Sequence, residues 1–145
     1  MLKTNKYIER LFQEWKVYQK IIIAVDFDDT ISPWKFSEQE ILDTNIVYIL
    51  NKAKSLGAYI VCFTACHEDR FEEIQNRFKR LNISLDAINK TPIDLPYGNN
   101  NKIYANIFLD DRAGLKQALE TLENAMWKYA GYLRTNENKL LDDVA

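Results

Sequence analysis

Acidic residues stand at the ends of apolar runs, and this placement is the strongest chemical signal in the chain. Ile21-Ile22-Ile23-Ala24-Val25 leads directly into Asp26-Phe27-Asp28-Asp29-Thr30. Ile107-Phe108-Leu109 leads into Asp110-Asp111, and Ile60-Val61-Cys62-Phe63 ends at Thr64. A continuous β-branched run suits a strand buried on both faces. In open α/β sheets, ligands bind in the crevice beyond the carboxyl ends of the strands. Asp26, Asp28, Asp29, Asp110 and Asp111 are therefore expected to converge on one edge of a sheet. Such a cluster stays ionised only beside a cation, and hard oxygen donors select Mg2+. The plainer alternative makes each aspartate a helix or turn cap. It accounts for any one of them, but poorly for polar residues at three separate strand ends.

The elements that would position these residues are legible as patterns. Ile8, Leu11, Phe12 and Trp15 sit at helical spacing within residues 7–18, which predicts an amphipathic helix on the core. Ser37-Glu38-Gln39-Glu40 reads as a capping box. The helix it opens carries Ile41, Leu42, Ile46, Ile49, Leu50 and Ala53 on one face, with Gly57 as its stop. Residues 58–63 predict a second strand, and Phe71, Ile74, Phe78 and Leu81 a further helix. Residues 85–88 form a weaker strand candidate and residues 103–109 a stronger one. A long C-terminal helix is traced by Leu115, Ala118, Leu119, Leu122, Met126 and Ala130. A leading helix followed by alternating strands and helices predicts an α/β fold, a three-layer Rossmann-like sandwich around a central, mostly parallel sheet. We expect one domain over residues 1–145, with an N-terminal helical extension at 1–20 and a C-terminal helix at 112–136.

At this point the chain resembles the haloacid dehalogenase-like (HAD) superfamily, in its small phosphatase form. The resemblance rests on four motifs in order: the strand ending in Asp26-Phe27-Asp28-Asp29-Thr30, then Thr64, then Lys102, then Ile107-Phe108-Leu109-Asp110-Asp111. It implies that Asp26 is a nucleophile attacking phosphorus to give an aspartyl-phosphate, and that Asp28 serves as general acid and then general base. It implies that Thr64 bonds a phosphoryl oxygen and that Lys102 neutralises charge there, with Lys90 as a rival. Mg2+ would be held by Asp26, the backbone carbonyl of Asp28 and one of Asp110 or Asp111. A second aspartate at position 28 favours phosphate chemistry over carbon–halogen cleavage within this resemblance. Glycine is usual where this chain has Asp29, and aspartate suits the position only if φ there need not be positive. The gaps at residues 31–36 and 65–101 leave no room for a folded cap domain, which resembles the capless class. Thr30, Arg112, Trp34 and His67 are candidate substrate-binding residues, although Thr30 also reads as structural support. Pro33-Trp34 and Leu95-Pro96-Tyr97-Gly98 are candidates for the rim.

Composition sets the outer limits. A chain of 145 residues, 47% hydrophobic and 28% charged, has the balance of a globular protein. A net charge of −2 gives no global support for nucleic-acid binding. The longest strongly apolar stretch is too short to span a bilayer, and no apolar run follows the N-terminus as in a signal peptide. A cytoplasmic protein without membrane attachment is expected. Cys62 and Cys66 read as reduced thiols, since a zinc site would need two more soft ligands and His67 is the obvious one. The expected activity is Mg2+-dependent phosphomonoester hydrolysis of a phosphorylated small molecule or nucleotide. The alternatives are a nucleotide or nucleic-acid-end phosphatase or phosphotransferase, and a catalytically inactive binding protein of the same fold. A receiver-type phosphoacceptor domain fits poorly, because its aspartate follows the third strand, where this chain has Asn89.

Overall fold

The computed structural model describes residues 2–32, 44–94 and 103–144. The capping box at Ser37, the helical positions Ile41 and Leu42, the rim candidates at 33–34 and 95–98, and Lys102 lie outside the described residues. Helix α1 spans Lys6–Tyr18, strand β1 Ile22–Asp26, helix α2 Thr44–Ser55 and strand β2 Tyr59–Phe63. Helix α3 spans Phe71–Arg80, strand β3 Ala87–Ile88, strand β4 Ile107–Leu109 and helix α4 Leu115–Val144. A single 3-10 turn at Glu68–Arg70 leads into α3.

The architecture is α/β, a four-stranded parallel sheet flanked by helices in keeping with a Rossmann-like three-layer sandwich. Strand order is β3-β2-β1-β4. The chain moves outward from β1 to β3 and then returns across β1 to place β4 on its other side. The order therefore reverses between β1 and β4, which is where open sheets of this kind form a ligand crevice. In register, Asp26 is level with Phe63, and Val25 with Leu109, so Thr64 and Asp110 continue the two neighbouring strands at the same edge.

The strands are apolar because both faces are covered. Ile21, Ile23, Val25, Ile60, Cys62, Ile107 and Leu109 join a large core fed by all four helices. Ile22, Ala24, Val61 and Ala87 form a smaller cluster on the alternate face, against Tyr59, Phe63, Ile93, Ile103 and Tyr104. This period-two division is what a pleated strand requires. Helix α1 belongs to the core: Ile8 and Trp15 are fully buried, Trp15 stacks on Tyr129 of α4 at 5.1 Å, and its indole N–H donates to the Leu56 carbonyl at 2.9 Å.

The structure shortens two expected strands and carries the last helix further than expected. The third strand is only Ala87–Ile88, and the fourth begins at Ile107, since Ile103, Tyr104 and Ala105 pack on the smaller core without joining the ladder. The start of the fourth strand is set by Asn106, whose Oδ1 accepts the Ile22 N–H at 2.7 Å while its own N–H donates to the Ile22 carbonyl. Helix α2 is described from Thr44, whereas α4 continues to Val144, past the expected end at 136. No cap domain stands among the described residues, and among them no helix is long and apolar enough to cross a membrane.

Candidate functional site

The first motif is built as a tight turn hung from one carbonyl. The Phe27 carbonyl accepts N–H bonds from Ile31 at 3.0 Å and Ser32 at 3.1 Å. Phe27 itself is buried and packs 6.1 Å from Phe78, which fixes the turn to the core. Reversing the chain this sharply puts Asp29 in the left-handed region, at φ 64°. The condition under which aspartate would be neutral there is not met. The position does require positive φ, and aspartate occupies it because its short polar side chain is among the few that tolerate this region. Its N–H closes the turn on the Ser32 carbonyl at 2.7 Å.

Of the five carboxylates expected to converge, three do. Asp26, Asp110 and Asp111 each bring an oxygen within 4.8 Å of the others, across the point where strand order reverses. Asp28 stands outside the trio and pairs with Arg70, and Asp29 is exposed on the turn. Thr30 is the brace of the trio. It is 1% exposed, its Oγ1 accepts the Asp111 N–H at 3.0 Å, and the same oxygen lies 3.3 Å from Asp26 Oδ2 and 3.2 Å from Asp111 Oδ1. One hydroxyl carries one proton, so it can donate to only one of those carboxylates at a time. Asp110 Oδ1 accepts the N–H of Arg112 at 3.0 Å, which makes Arg112 a backbone partner of the cluster with an exposed side chain.

Crowding of like charges shows in the ionisation of Asp26. Burial first, then the Asp110 charge, then a hydrogen bond and charge from Asp111, push its carboxyl up to about 6, while the Thr30 hydroxyl opposes the rise. A nucleophilic or metal-binding carboxylate needs its anionic form, so this is an arrangement that a cation would complete. Three hard oxygen donors at this separation suit Mg2+ and lack the nitrogen or sulfur donors that zinc prefers.

Thr64 follows β2 and is held by Asn89, which follows β3. The Asn89 side chain accepts the Thr64 N–H at 2.7 Å and donates to the Thr64 carbonyl at 2.8 Å, extending the sheet by one rung. The Thr64 hydroxyl accepts the Cys66 N–H at 3.3 Å and retains its own proton for donation. Past Asn89 opens a groove of about 790 Å³ lined by Cys66, His67, Glu68, Asp69, Phe71, Ile88, Asn89 and Lys90, with none of the acidic trio in its wall. His67 and Lys90 are exposed there. Cys62 and Cys66 are free thiols, and burial pushes the Cys62 thiol up, away from the thiolate form.

Sequence patterns did not disclose Arg70. Its guanidinium grips Asp28 with two parallel bonds, Nη1 to Oδ2 at 3.0 Å and Nη2 to Oδ1 at 3.1 Å, and its Nε lies 3.6 Å from Glu73. Forty-two residues separate the pair, and Arg70 lies outside any strand end, so spacing carried no hint of it. In the sequence Asn89 stands only as the polar end of a strand. Its bracing of Thr64 depends on the pairing of β2 with β3.

No family model matches this chain, and no curated protein matches it. A solved structure of a conserved protein from Bacteroides thetaiotaomicron matches with a TM-score of 0.55 at 23% identity, covering 64% of this chain and 77% of that one. That likeness concerns the fold.

Proposed function

We propose that the protein is a Mg2+-dependent phosphomonoester hydrolase working through an aspartyl-phosphate on Asp26. The observation that carries this reading is the convergence of Asp26, Asp110 and Asp111 at the strand-order reversal, braced by the buried Thr30 hydroxyl. The motif order that resembles the HAD superfamily supports it. Asp26, Asp110 and Asp111 would hold Mg2+ together with the backbone carbonyl of Asp28, and the ion supplies charge neutralisation around a phosphoryl group when bound.

In the proposed reaction an Asp26 oxygen forms a bond to phosphorus as the bond to the ester oxygen breaks. The departing oxygen takes a proton from Asp28. Water then attacks the same phosphorus, gives its proton to Asp28, and the bond to Asp26 breaks to release phosphate. Thr64, with its hydroxyl proton available, donates to a phosphoryl oxygen, and Lys102 supplies positive charge as the third motif. A nucleotide or another phosphorylated small molecule is the substrate class of this proposal. A cytoplasmic location belongs to the same proposal, supported by two free thiols of the kind a reducing compartment preserves.

Hydrolysis of p-nitrophenyl phosphate, measured with Mg2+ and with the metal chelated, tests the reading. Turnover is expected only with the metal. Asp26→Asn is expected to lower kcat/KM by at least about a thousandfold. Retention of most activity by that variant overturns the assignment of the nucleophile. Metal-independent turnover overturns the Mg2+ reading.

A further inference from the structure

Asp28, on the turn after β1, and Arg70, at the end of the 3-10 turn that leads into α3, form a bidentate pair. We propose that Arg70 is a positioning residue, which fixes the Asp28 carboxylate where it exchanges a proton with the ester oxygen. This rests on the phosphomonoesterase reading above.

Three features support it. Arg70 is itself held: its side chain is largely sheltered, its backbone N–H donates to the His67 carbonyl at 3.0 Å, and Glu73 lies beside its Nε. The pair also divides the acidic residues of the turn. Asp26 keeps an oxygen within 4.8 Å of both Asp110 and Asp111, whereas Asp28 stands outside that trio and is bound by Arg70. Finally, a planar fork binding both oxygens sets the plane of the carboxylate while leaving each oxygen a further lone pair. When Asp28 carries the proton that it donates, one oxygen bears that proton and the other keeps its bond to Arg70, so the carboxyl stays oriented. Arginine cannot exchange the proton itself, so its effect passes through Asp28.

Leaving groups distinguish this role from plain phosphate binding. p-Nitrophenolate departs without protonation, whereas the alkoxide of glycerol phosphate needs a proton, and kcat/KM reports transfer to Asp26 for each ester. With saturating Mg2+, Arg70→Ala is expected to lower kcat/KM for glycerol phosphate by about a hundredfold and for p-nitrophenyl phosphate by less than about tenfold. Asp28→Ala is expected to show the same selectivity, and the double variant to lose no more than Asp28→Ala alone. Arg70→Lys, which keeps the charge but not the fork, is expected to recover only part of the difference, and it keeps the test open should Arg70→Ala not fold. Equal losses on both esters for the folded variants, or additive losses in the double variant, overturn the positioning role. A wild-type protein that hydrolyses neither ester overturns the phosphomonoesterase reading, and the role of Arg70 with it.

Discussion

Asp29 and Thr30 divide the labour of the turn that carries Asp26. Thr30 places a single hydroxyl among two carboxylates and an N–H, and it does so from a position closed to solvent. Asp29 accepts a left-handed backbone so that the chain can reverse beneath it. Glycine would meet that conformation without strain but would gain freedom in the unfolded chain, and the two effects oppose each other. Asp29→Gly is therefore expected to change stability by less than about 0.5 kcal/mol, whereas Asp29→Val costs about 1–2 kcal/mol. Urea unfolding of the two variants checks this, and a Val variant as stable as wild type contradicts the reading of the turn. The acidic letters were legible in the sequence because an apolar strand ends in them. Which of them face one another was not, because a change of direction within four residues decides it.

At the scale of elements, asparagines finish the sheet where strands run out. Asn106 pairs with Ile22 at the entry of β1 and also donates to Glu14 of α1 at 2.9 Å, while Asn89 pairs with Thr64 at the far edge. The Asn89 side chain mimics a backbone rung by bonding both the N–H and the carbonyl of Thr64, whereas Asn106 takes the Ile22 N–H with its side chain and the Ile22 carbonyl with its own backbone N–H. Gly57 performs a different task. Its φ is 94°, and a Cβ there would lie 2.6 Å from the Gln19 carbonyl oxygen, so the end of α2 meets the end of α1 through glycine's missing side chain. Gly57→Ala is expected to destabilise by more than about 1 kcal/mol, read as a lowered denaturation midpoint. An unchanged midpoint contradicts the close approach. The stop at Gly57 was visible in the sequence. The carbonyl that demands it was not, since it comes from a helix 38 residues earlier by the numbering of Gln19 and Gly57.

For the whole molecule, the edge that gathers the acidic trio makes stability depend on pH, and under the proposed function on metal as well. The folded Asp26 carboxyl titrates near 6, above its ordinary value of 3.8. Between those values the folded chain binds more protons than the unfolded one, so without metal this contribution is present at low pH and lost as pH rises through about 6. Under the proposed function Mg2+ would bind the ionised trio and is expected to restore stability above that point. Melting temperatures in chelator should therefore fall across this window more steeply for wild type than for Asp26→Asn, and excess Mg2+ should reverse the fall only in wild type. Identical profiles for the two proteins contradict the coupling. The sequence by itself determined the alternation of apolar strands and amphipathic helices, and the polar residues closing each strand, because burial and periodicity are written locally. The tertiary structure decided that β4 returns to the far side of β1, bringing Asp110 and Asp111 to Asp26. It also decided that Arg70 meets Asp28. Both are contacts between segments far apart in the chain, fixed by sheet order and helix placement rather than by any neighbouring residue.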